Sequence, residues 1–75
     1  MITEITVGLS WVNIGVTQAI ISNPSRTKEL FVTTDNGMKG GIPIPPLHSK
    51  EIIETGNLYV KGNSKNCLVV LDDNL

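Results

Sequence analysis

The sequence predicts an all-β domain, a small antiparallel β-sandwich or partly open barrel of about six to seven short strands. Turn signals recur at short intervals along it, and the segments between them are rich in β-branched residues. The one stretch with helical potential, Val16 to Ser22, is itself β-branched and stops at Asn23-Pro24.

The elements follow in order. Ile2 to Val7 alternates around Ile5 and Val7 and reads as the first strand. Trp11 to Ile14 and Val16 to Ile21 read as one long strand bent at Gly15. Asn23-Pro24-Ser25-Arg26 is a type I turn candidate, with Asn at its first position and Pro presetting φ at the second. Glu29 to Thr34 follows, with Leu30 and Val32 on one face and Phe31 on the other. Asp35-Asn36-Gly37 suits positive φ and opens a loop through Gly40-Gly41. Pro43, Pro45 and Pro46 then force an extended, edge-like or irregular stretch, because each removes a ladder donor. Lys50 to Glu54, Leu58 to Lys61 and Cys67 to Leu71 complete the strands, and the acidic end from position 72 to 75 is expected to fray.

Seventy-five residues make one domain, spanning 1–75. Six basic against seven acidic residues give a net charge of −1. The basic side chains are spread along the chain, which disfavours nucleic-acid binding. No apolar run reaches the ~20 residues of a membrane helix, and the start Met1-Ile2-Thr3-Glu4 lacks the regions of a signal peptide. The expectation is a soluble chain made in a cytosol, and a lone cysteine, Cys67, excludes an internal disulfide.

The pattern that bears on function is apolarity on both faces of several strands: Ile52-Ile53, Leu58-Tyr59-Val60 and Cys67 to Leu71. A two-layer sheet protein standing alone should alternate apolar-in and polar-out. A domain this small buries only about 60% of its unfolded surface, so a partner is expected to cover the second face.

Signals for chemistry are weak. His48 is the only histidine, with no second ligand at metal spacing, and reads as an exposed loop residue. Cys67 reads as a buried small hydrophobe. Ser10, Asp35 and His48 could be named as a triad, but no nucleophile motif surrounds Ser10. Gly37-Met38-Lys39-Gly40-Gly41 lacks the spacing of a phosphate loop. No catalytic residue, cofactor or metal is assigned, and an enzyme is not expected. Trp11 and Tyr59 could stack a sugar, but interface anchoring suits a chain with one Trp, one Tyr and one Phe better.

The order of the segments resembles the small β-sandwich virion structural proteins of tailed bacteriophages, found as capsid decoration, head-fibre or neck modules. The residues carrying the resemblance are Ile5-Thr6-Val7-Gly8, Asn23-Pro24-Ser25-Arg26, Leu30-Phe31-Val32, Gly41-Ile42-Pro43-Ile44 through Ser49-Lys50-Glu51-Ile52, Leu58-Tyr59-Val60 and Cys67 to Leu71. Asp35 to Gly41 departs from the family, which often carries an extra turn and short strand there. The resemblance implies a virion protein made in the bacterial host cytoplasm, most simply a capsid decoration (cement) protein. Such a protein would assemble as a homo-oligomer, for instance a trimer, on the major capsid protein. A tail, neck or fibre-base subunit is the nearest alternative, and a carbohydrate-binding module for host attachment is another. The expected interface residues are Trp11, Phe31, Tyr59, Leu68 and Val70 as anchors, with Arg26 and the 37–46 loop, including Ile42 and Ile44, as further contacts.

Overall fold

A computed structural model of the chain describes residues 2–34, 41–53 and 56–73. Among the described residues, eight strands form two antiparallel four-stranded sheets, a small β-sandwich. They are β1 (Ile2–Val7), β2 (Val12–Asn13), β3 (Gln18–Ser22), β4 (Leu30–Thr34), β5 (Ile42–Ile44), β6 (Ser49–Ile53), β7 (Leu58–Gly62) and β8 (Cys67–Asp72). Sheet A has the order β1-β8-β3-β6 and sheet B the order β2-β7-β4-β5. Every connection except that from β4 to β5 passes from one sheet to the other. The first and last strands are paired along their whole length, Ile2 with Asp72 through to Val7 with Cys67.

Two expectations need correction and one, the edge-like proline stretch, is made specific. The predicted long strand from Trp11 to Ile21 is two strands in different sheets. Gly15 takes φ of 78° and its amide donates to Asn13 Oδ1 at 2.8 Å, so the segment turns out of sheet B instead of bending within it. The proline-rich stretch contributes a true edge strand, β5, in which Pro43 faces Phe31 and the missing amide does no harm. Together these give eight strands instead of six or seven. Finally, the last strand reaches one residue into the expected tail: Asp72 closes β8 and is paired with both Ile2 and Ile20. Asp73 is described beyond it, while 74–75 and the segment 35–40, where a loop opening at Asp35-Asn36-Gly37 is expected, lie outside the described residues.

Side-chain alternation builds the core. Val7 from β1, Ala19 and Ile21 from β3, Ile52 from β6, and Cys67, Val69 and Leu71 from β8 point inward from sheet A. Leu30 and Val32 from β4, Ile44 from β5, and Leu58 and Val60 from β7 meet them from sheet B. Their neighbours Tyr59, Lys61, Leu68 and Val70 therefore point outward. The strands that are apolar on both faces thus spend one face on the core and leave the other outside it.

A polar corner closes the end of the sandwich where β3 leaves for β4 and β5 turns into β6. Asn23, only 2% exposed, donates from Nδ2 to Lys28 O at 2.7 Å and to Ile44 O at 3.1 Å. Its Oδ1 accepts from the Ser25 amide at 3.1 Å. Its carbonyl accepts from the Leu47 amide at 3.0 Å, and its own amide donates to His48 O at 2.9 Å. The predicted Asn-Pro turn is therefore an Asx turn anchored to a neighbouring loop.

That loop carries a strained residue. Leu47 has φ of 62° and is 66% exposed. A leucine there costs about 1 kcal/mol that asparagine largely avoids, and no buried contact repays it. Leu47→Asn is expected to stabilise the protein by about 1 kcal/mol, raising Tm by roughly 4–8 °C. Calorimetry showing an unchanged or lower Tm would refute the strain at this position.

Candidate interaction surface

The outer face of sheet B gathers the chain's Trp, Tyr and Phe. Alternation places Tyr59 and Lys61 outward on β7, and Phe31 and Thr33 outward on β4. Register then sets them side by side, Phe31 opposite Lys61 and Thr33 opposite Tyr59, with Pro43 beyond Phe31. Trp11, just before β2, lies over the same face. The Lys61 ammonium sits 4.8 Å from its ring centroid and 5.9 Å from that of Phe31. Each such cation–π contact is worth about 0.5–1 kcal/mol at an exposed site.

Gly41 makes room for this arrangement. Its φ is 103°, and a Cβ there would lie 2.9 Å from Trp11 Cη2 and 2.8 Å from the Val32 carbonyl oxygen. The outward-facing Thr33 of the same face is only 8% exposed. Trp11, Phe31, Tyr59 and Lys61 are all half-buried, each partly in contact with the protein and partly open to solvent. An apolar platform with a cation held above it is thus preformed, and a partner meeting it need not order these side chains first.

The outer face of sheet A is different. Leu68, Val70, Ile20 and Ile53 lie there among Glu4, Glu51 and Asp72. Leu68 is 38% and Ile53 62% exposed. This face mixes aliphatic groups with carboxylates and has no aromatic ring.

The expected contact residues are therefore dispersed. Trp11, Phe31 and Tyr59 converge on sheet B, whereas Leu68 and Val70 are outward on sheet A. Arg26 is exposed in the turn after β3. Ile42, 41% exposed, lies on the free edge of β5. Ile44 does not belong to a contact surface, because its side chain is fully buried in the core. Proline at 43 and the pairing of Leu30 with Ile44 turn residue 44 inward. Lys61 was missed as a member of the platform. The signal available in the sequence was its place two residues after Tyr59 in a strand, which puts both on one face.

The residues weighed for chemistry are placed simply. His48 is exposed, and its Nδ1 lies 2.9 Å from Pro46 O in its own loop. Cys67 is buried, with Sγ donating to Ser64 O at 3.3 Å. Ser10 is exposed, and Asp35 lies outside the described residues. Among the described residues no group of three His, Cys, Asp or Glu side chains could hold a metal, and no helix is long and apolar enough to cross a membrane. No protein-family description, curated protein or solved structure matches the chain.

Proposed function

We propose that the protein is a non-catalytic structural subunit of a tailed-bacteriophage virion, a capsid decoration protein that docks through the outer face of sheet B. The observation that carries the docking surface is the convergence of Trp11, Phe31 and Tyr59 around Lys61 on one preformed face. Tryptophan and tyrosine in such settings supply most of the energy of protein interfaces. The virion assignment rests on the order of sequence segments described above, and homo-oligomer formation on the lattice belongs to the same proposal.

The test is binding of the purified protein to undecorated capsids of the phage that encodes it. Trp11→Ala is expected to weaken binding by roughly thirtyfold or more while leaving the far-UV circular dichroism unchanged. A protein absent from purified virions, or a folded Trp11→Ala variant that binds as well as the parent, overturns the proposal.

A second reading uses the same face. Trp11 and Tyr59 share it with Asn13, opposite Tyr59, a combination of rings and a small polar group that suits a sugar. Binding to a glycan array that is lost in Trp11→Ala, without capsid binding, would select this reading.

A further inference from the structure

The strand order sets four chain crossings side by side at one end of the sandwich. β1, β3, β5 and β7 all finish there, and the segments 8–11, 23–29, 45–48 and 63–66 carry the chain to the opposite sheet. Hydrogen bonds join these segments into one surface. The Gly62 amide donates to Gly8 O at 2.8 Å and the Asn63 amide to Glu29 O at 3.1 Å. Lys28 Nζ donates to Lys65 O at 3.0 Å and to Asn66 O at 3.1 Å. The Leu47 amide is shared between Asn23 O at 3.0 Å and Ser25 O at 3.1 Å.

This end is basic, although its cations are far apart in sequence. Arg26, Lys28, His48 and Lys65 lie in the four segments, where Glu29 is the one acidic side chain, and Lys50 is the second residue of β6. Arg26, Lys50 and Lys65 are exposed, and the Lys28 ammonium is met by carbonyl dipoles, which leave its charge in place. Among them stands Leu47, 66% exposed at φ of 62°. Leucine rarely adopts that backbone conformation, and strain of this kind gathers at functional sites. The loop nevertheless holds the residue firmly, through its shared amide and the His48 amide, which donates to Pro45 O at 3.1 Å. A fixed apolar side chain among charges has the form of an interface centre with its rim.

The occupant follows from both properties. The cations call for an acidic partner, and the leucine calls for apolar groups that close over it. A polynucleotide supplies the first without the second, since Leu47 offers no ring on which a base could stack. A long polyanion would also run on to Glu4 and Glu51 on the outer face of sheet A, in a chain of net charge −1. A twofold pair of these ends would set cation against cation.

We infer that this loop end binds an acidic polypeptide segment of another protein, whose carboxylates meet Arg26, Lys50 and Lys65 and whose apolar side chains enclose Leu47. None of these residues belongs to the aromatic face, so the inference does not rest on the virion reading.

The probe is a synthetic peptide of about eight residues with two central leucines between glutamates. It is compared with one carrying lysines for the glutamates and one carrying glycines for the leucines, and binding is followed by NMR amide shifts. The acidic leucine peptide is expected to shift amides in 23–29, 45–50 and 63–66, and to bind at least about tenfold more tightly than either control at low salt. Arg26→Glu is expected to weaken it about tenfold and flatten its salt dependence. Leu47→Asn is expected to weaken it about tenfold with the salt dependence unchanged, in a variant that is no less stable than the parent. Several outcomes would overturn the inference: no binding at millimolar peptide, equal affinity for the controls, or shifts confined to other segments. So would a Leu47→Asn variant that binds as well as the parent, or tighter binding to an oligothymidylate or to anionic phospholipid vesicles. Loop amides that move with protein concentration alone would assign the surface to a second copy and overturn it too.

Discussion

Replacing Asn23 with alanine is expected to cost about 3–4 kcal/mol, enough to leave so small a domain close to its unfolding threshold. The reason is the number of partners that one buried amide satisfies. Removing it strips the Lys28 and Ile44 carbonyls of their Nδ2 donor and the Ser25 amide of its acceptor, at a site where Asn23 is 2% exposed. An unsatisfied buried polar group costs about 1–3 kcal/mol. Asn23→Asp separates shape from donor chemistry. It keeps the size and the acceptor for Ser25 but turns a carboxylate toward two carbonyl oxygens. That charge raises the new carboxyl's folded pKa above its unfolded value, so the variant should be relatively more stable in acid and lose stability as pH rises. Urea titrations at pH 4 and pH 7 check both variants. A loss below about 1 kcal/mol for Asn23→Ala would mean that this corner does not hold the β3–β4 and β5–β6 connections together.

Much of the architecture was legible because local rules and tertiary structure agree. The alternation of Leu30, Phe31 and Val32 gave the correct faces of β4, and the β-branched run from Cys67 to Leu71 gave β8. The same period of two, applied to strands apolar on both sides, separated core residues from exposed ones. What failed was information held between segments. Gly15 has the same local appearance whether it bends a strand or carries the chain to another sheet, and only the pairing of β2 with β7 and of β3 with β8 decides between them. Ile42 and Ile44 look equivalent beside prolines, yet the register of β5 on β4 buries one and leaves the other at an edge. The aromatic platform was half visible. Its rings were singled out by type, but their convergence depends on three strands in register and on a glycine, Gly41, far from Trp11 in sequence.

Gly62→Ala is the other substitution expected to be severe, and the cause is space, not backbone conformation. Gly62 ends β7 at a buried position, where its amide donates to Gly8 O at 2.8 Å. A Cβ added there would run into Cys67 Sγ and come within 2.8 Å of Cys67 Cβ, at the start of the next strand. Cys67 cannot easily yield, because it is fully buried in the core and its thiol is engaged with Ser64 O. Overpacking of this kind costs about 1–3 kcal/mol, against which the entropic gain of alanine over glycine is smaller. The double variant Gly62→Ala with Cys67→Ala tests the cause directly. Removing Sγ relieves the nearest clash, so the pair should be more stable than the sum of the single changes by about 1–2 kcal/mol. Additive losses in urea denaturation would show that the two positions do not press on each other, and a neutral Gly62→Ala would show that the β7–β8 connection has slack at this point. The expected coupling places tight packing at the connection between sheets that sets Tyr59 and Lys61 on one outer face and Leu68 and Val70 on the other. Loosening it should disturb both outer surfaces at once, even though neither Gly62 nor Cys67 reaches them.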